Sequence, residues 1–213
     1  QGLADLLTPV TKGYATDIGV EVASLCLQVF GGMGFVEETG AAQHYRDARI
    51  APIYEGTNGI QALDLVGRKL PMEGGRHWRA LLQRERQFLK TLPGGGDLGA
   101  IRPYAEDALE ALQTAAVWLT GNEGEKLADT AAGATPFLRM FGLTLGGTLL
   151  ARQAVEAQAR LERGEGNPAF LKAKISTARF HAEQLLPQAT ALLGPVTRGA
   201  ETLFAIPEEA LAA

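Results

Sequence analysis

Residues 50–70 read "IAPIYEGTNGIQALDLVGRKL", and the two halves of the stretch obey different rules. Pro52 biases Ala51 towards extended backbone and stops any preceding helix from running into Tyr54 and Glu55. Gly56 permits a tight turn, Thr57 is a natural helix N-cap, and beyond it Ile60, Leu63, Val66 or Gly67, and Leu70 recur at helical spacing. The pattern predicts a helix that opens at Thr57 and buries that stripe. One carboxylate, Glu55, stands at the junction of turn and helix. Pro71 and the "EGG" at 73–75 then punctuate the chain, which places a boundary there between two domains, 1–72 and 73–213.

Upstream, apolar residues recur three or four apart at Val10, Tyr14, Ile18, Val22, Leu25 and Val29, which predicts a helix over about 9–30 with one continuous buried stripe. Pro9 suits its first turn. The helix stops at "FGGMGF" (30–35), where glycines lower helical propensity and permit positive backbone dihedrals. A shorter helix is expected within "TGAAQHYRDA" (39–48). Downstream, the breaks "PGGGD", "TGNEG" and "GEGNP" divide helices expected at about 77–91, 98–120, 136–163 and 168–193, with a short last one near 197–204. Stripes such as Leu109, Leu112, Ala116 and Leu119 read as bundle core. No alternating strand pattern is present. The expected fold class is all-α: a small helical domain followed by a second antiparallel helical bundle.

Composition narrows the functions. A chain of 213 residues with 46% hydrophobic content can bury a core. Twenty Lys and Arg face 24 Asp and Glu; residues 1–75 hold 5 basic and 9 acidic side chains, and residues 76–213 hold 15 of each. Neither part has the basic excess that phosphate neutralisation requires, which argues against a nucleic-acid binder. A lone Cys26 rules out an internal disulfide and a cysteine metal cluster, and fits a reducing cytoplasm. His44, His77 and His181 lack metal-ligand spacing, so no metal is expected. No apolar run approaches the roughly 18 residues of a membrane span. The chain opens with Gln1 instead of Met, so a larger protein is expected to contain it.

Glu55 is the chemical candidate. Its neighbours Ile53, Tyr54 and Ile60 would strip water from the carboxylate and strengthen it as a base towards a carbon acid. The following helix pulls the other way, because its N-terminus stabilises negative charge by about 0.3–1 kcal/mol. Exposed amides at the same turn can bind a carbonyl or anionic oxygen. Read locally, Glu55 is equally an exposed loop residue. Cys26 and Met33 read as packing residues, Arg46 and Asp47 as a structural pair orienting the short helix.

Three motifs in order, "QVFGGMGF", "YRDARI" and "IYEGT", together with their spacing, resemble the C-terminal helical domain of the acyl-CoA dehydrogenases over residues 9–70. The resemblance implies an FAD-dependent desaturation of an acyl-CoA thioester, with Glu55 as the base that removes the α-proton while a hydride leaves the β-carbon. It also implies that Gly56, Thr57 and Asn58 lie against the flavin, and that Gln28, Gly31 and Gly32 reach the FAD of a neighbouring subunit, hence a homo-oligomer, dimer or tetramer. Gly59 departs from the Gln found there in some relatives. Electron-transfer flavoprotein is the implied electron acceptor. Residues 76–213 resemble, more distantly, the extra helical domain of longer members such as the methylthiopropanoyl-CoA dehydrogenase type. The family's other domains, which hold most of the flavin and thioester surface, are not found in these helices, so this stretch alone is expected to be inactive. Two other readings are an inert oligomerisation module and a DNA-binding paralogue.

Overall fold

The computed structural model describes residues 1–121 and 127–211, and among these every regular element is helical. The elements are α1 (Gly2–Phe30), α2 (Gly32–Phe35), α3 (Ala41–Ala48), α4 (Asn58–Asp64), α5 (Met72–Leu89), α6 (Gly96–Gly121), α7 (Leu127–Ala132), α8 (Ala134–Glu162), α9 (Pro168–Phe180), α10 (Leu186–Ala191), α11 (Leu193–Thr197) and α12 (Glu208–Leu211).

Helix α8 is the hub, and its composition explains why. Small residues along it let neighbours approach closely: a Cβ at Gly142 would lie 2.1 Å from the ring of Tyr14 on α1, and one at Gly147 would lie 2.9 Å from Leu186 on α10. Just before these sites on α8, Phe137 and Phe141 pack edge to face, centroids 5.9 Å apart, and both are fully buried. Helices α1 and α4 approach α8 from one side, α6, α9 and α10 from the others. Leu6, Val10, Ala62, Leu65 and Leu70 therefore share one hydrophobic core with Trp78, Leu81, Leu138 and Leu186.

At the expected boundary, Glu73, Gly74 and Gly75 are all left-handed (φ 51°, 63° and 78°), so the chain changes direction there and α5 runs as helix only beyond them. The helices expected at 77–91, 98–120 and 136–163 match α5, α6 and α8 to within a few residues, α7 lies in a stretch with no expected helix, and the short helix expected near 197–204 is a 3-10 turn at Glu201–Phe204.

Three expectations are corrected. Helix α1 starts at Gly2, with Pro9 buried inside it. Leu3, Leu6 and Leu7 extend the apolar pattern upstream, and burial of the ring offsets one missing backbone bond. The helix expected over 168–193 is interrupted by a π turn at His181–Leu185, just before Pro187, which has no N–H to continue the ladder. Finally, the α1 stripe is buried only in its first half: Val22, Leu25 and Val29 face solvent.

Candidate active site

The turn at Glu55 is built between α1 and the start of α4. Thr57 accepts a hydrogen bond from the Ile60 amide at 3.4 Å, which caps α4 as expected. The stripe differs by a rotation. Ala62, Leu65, Val66 and Leu70 are buried, whereas Ile60 and Leu63 point outwards, because α1 and α8 cover the other side of α4.

Glu55 itself has φ 54°, a conformation that costs a non-glycine residue about 1–2 kcal/mol. Gly56 follows at φ 81°. The strained pair is held from two directions. Gln61 Nε2 donates to the Glu55 carbonyl at 3.0 Å, and Lys12 Nζ donates to the Gly56 carbonyl at 2.7 Å. Lys12 also donates to Asn58 Oδ1 at 2.8 Å, and Asn58 Nδ2 lies 2.7 Å from Asp17 Oδ1, 2.9 Å from Thr16 Oγ1 and 3.0 Å from the Gly13 carbonyl. The Asn58 amide donates to the Pro52 carbonyl at 3.0 Å.

These bonds separate the expected site residues into three groups. Glu55, Gly56 and Thr57 are exposed on the outer side of the turn. Asn58 turns its amide inwards to α1, so its observed role is to anchor the turn. Gln28, Gly31 and Gly32 lie elsewhere: at 1.5 Å per residue, Gln28 is about 17 Å along α1 from Asp17, the far edge of the Asn58 anchor. One chain does not bring the two sets together. Gly31, at φ 61° and ψ −143°, can only be glycine without strain, and both Gly31 and Gly32 have open space where a Cβ would stand. Beside them is a cavity of about 600 Å³ lined by Leu27, Gly34, Phe35, Val36, Ala42 and Tyr45.

The desolvation of Glu55 expected from its neighbours is not supplied within this chain. Ile53, Tyr54 and Ile60 are 51%, 50% and 56% exposed. Together with Leu63 they leave apolar side chains open to solvent around the turn, and Val22, Leu25 and Val29 are separately exposed on the second half of α1. Cys26 and Met33, expected to pack, are exposed on the same uncovered end of α1 and the loop after it. Arg46 pairs with Glu37, two bonds of 2.8 Å, and not with Asp47, since adjacent helical positions diverge. That pairing holds the Glu37 carboxyl below the usual carboxylate range. Lys12, Thr16, Asp17 and Gln61 went unnoticed in the sequence. The signal was the polar Lys12/Thr16 pair, four apart beside the buried Gly13.

Comparison with known proteins agrees with this layout. Residues 2–70 match the model for the acyl-CoA dehydrogenase C-terminal domain, and residues 81–207 match that for the acetyl-CoA dehydrogenase C-terminal-like domain. The chain belongs to the acyl-CoA dehydrogenase family and carries its C-terminal helical domains. It is 42% identical to 3-methylmercaptopropionyl-CoA dehydrogenase of Ruegeria pomeroyi, covering 96% of this chain and 35% of that protein. It is 32% identical to the broad-specificity linear acyl-CoA dehydrogenase FadE5 of Mycobacterium tuberculosis, over 87% of this chain and 32% of the relative. The chain thus spans about a third of the length of the curated relatives it matches. An acyl-CoA dehydrogenase from Bacillus anthracis, solved in complex with FAD, shares the fold with a TM-score of 0.62 at 18% identity, over 95% of this chain and 33% of that one.

Proposed function

We propose that the protein carrying this chain is an FAD-dependent acyl-CoA dehydrogenase, a homo-oligomer that desaturates acyl-CoA thioesters at the α,β position in the cytoplasm and passes electrons to electron-transfer flavoprotein. The observation that carries the reading is Glu55, a carboxylate held in a strained, doubly pinned turn on an uncovered apolar face. Strain of this kind persists where the surroundings over-determine it, and here Gln61 and Lys12 hold the two carbonyls of the turn, those of Glu55 and Gly56.

In this reading Glu55 removes the α-proton of the thioester. The exposed Ile53, Tyr54 and Ile60 become the dry wall of its pocket once the upstream domains carried by full-length relatives cover them, and water exclusion strengthens the carboxylate as a base. Gly56 and Thr57 present backbone to the flavin, and Gly31 and Gly32, with no Cβ in the way, allow close approach from the neighbouring subunit. These open glycines are the fit for FAD, and Asn58, its side chain engaged with α1, contributes through the turn it anchors. FAD, when bound, accepts the hydride from the β-carbon. The separation of Glu55 from the Gly31 loop along α1 fits a site shared by two subunits, and the chain alone is expected to be inactive because the domains that hold most of the flavin and thioester surface lie outside it.

Glu55→Gln in the full-length protein is expected to lower acyl-CoA turnover by about 10²–10⁴-fold while flavin absorbance is retained. Unchanged turnover in that variant refutes the assignment.

A further inference from the structure

We infer that Lys12 is a positioning residue for Glu55, acting through the Gly56 peptide; the inference rests on the proposal that Glu55 is the base. Two backbone carbonyls flank the reactive residue, and each is pinned by a different element. Gln61, from α4, holds the carbonyl of Glu55; Lys12, from α1, holds the next one along. Gln61 belongs to the same turn-and-helix unit as Glu55 and moves with it. Lys12 ties the Gly56 carbonyl itself, by a charged bond, to the long helix that is fastened to the core through Leu6, Val10 and Tyr14.

The magnitudes favour a pin over an incidental contact. A hydrogen bond to a charged donor is roughly twice as strong as a neutral one, enough to offset what the left-handed Glu55 costs. The ammonium is half-buried, 2.8 Å from Asn58 Oδ1 and 6.0 Å from the centroid of the Tyr54 ring, so its position is set from three sides. Asn58 is in turn anchored to Gly13, Thr16 and Asp17 one helical turn further along α1. Removing the ammonium frees the Gly56 carbonyl, allows the turn to relax towards an ordinary backbone conformation, and swings the Glu55 carboxylate off its line. A misplacement of about 1 Å at a reacting group costs on the order of 10²-fold.

The test uses the full-length protein in five forms: wild type, Lys12→Met, Lys12→Gln, Glu55→Gln, and Lys12→Met combined with Glu55→Gln. Lys12→Met is expected to lower the rate of flavin reduction by acyl-CoA about 10–100-fold with little change in KM, and to raise the isotope effect with α-deuterated substrate, because proton removal becomes the slower step. Amide hydrogen exchange at residues 55–58, measured without substrate, is expected to accelerate. In the Glu55→Gln background Lys12→Met is expected to add no further loss, since there is no base left to aim. A wild-type rate and isotope effect in Lys12→Met, even with a lowered melting temperature, overturns the inference and reduces Lys12 to a structural contact. If Lys12→Met does not fold, Lys12→Gln carries the test: it keeps a polar end but loses the charged bond to the Gly56 carbonyl, and unaltered rate and exchange there overturn the inference equally. An active Glu55→Gln variant sinks the proposed function itself, a result distinct from both.

Discussion

Helix α1 contains two regions of the same apolar spacing with opposite fates. Its first half closes against α8: Leu6 and Val10 are buried, and Tyr14 lies on Gly142. Its second half repeats the spacing at Val22, Leu25 and Val29, yet these are 58%, 64% and 85% exposed. Periodicity reports that a face is apolar; which partner covers it is a separate fact. The closed half serves the bundle of this chain, and the open half is left uncovered among the described residues.

The comparison can be broken from the closed side first. Glu85 on α5 is 1% exposed and is held by Arg84 at 2.9 Å and by Arg152 of α8 at 3.0 Å, with the Arg152 guanidinium 4.0 Å from the Phe88 ring centroid. Arg152→Met leaves the buried Glu85 with Arg84 alone, and is expected to cost about 1.5–3 kcal/mol through the lost charged hydrogen bonds, read by denaturant unfolding of the 213-residue chain. A loss under about 1 kcal/mol would mean that the α5–α8 seam is not closed.

A smaller effect comes from His181, buried on the π turn with Nδ1 lacking a partner among the described residues. Burial holds its folded-state pKa below the ordinary 6.5. The unfolded state therefore binds more protons than the folded state as pH falls below about 6.5, so stability is lost on acidification through that window and is restored above it. His181→Gln is expected to flatten the fall in melting temperature between pH 7 and 5; a slope identical to wild type would contradict the buried placement.

The smallest effect is expected on the open side. Leu25→Ser and Val29→Ser should each change the stability of this chain by no more than about 0.5 kcal/mol, while impairing assembly of the full-length protein in size-exclusion chromatography. A stability loss matching that of Arg152→Met would erase the distinction between the halves.

Much of the fold was legible because helices punctuated by glycine and proline declare themselves locally. "PGGGD" and "GEGNP" separate the long helices where the structure separates them, and Asn167 and Thr57 cap α9 and α4 through bonds any N-cap makes. The order of three motifs marked the family and pointed to Glu55. The errors share one cause. Ile60 and Leu63 were assigned to the buried side of α4, Cys26 to packing and Arg46 to Asp47, each from residue type and sequence neighbours, while the deciding neighbours were 9 or more residues away, or absent from this chain.

Sequence by itself determined the helical class, most of the helix breaks and the family, and put Glu55 forward as the candidate base, since each rests on interactions within a few residues or on an ordered motif. Only the tertiary structure decided that Asn58 faces α1, that Lys12 grips the peptide beside Glu55, and that half of α1 is left uncovered. Those depend on where a second helix lies against the first, and on side chains 42 to 46 positions apart meeting, which local propensity does not encode.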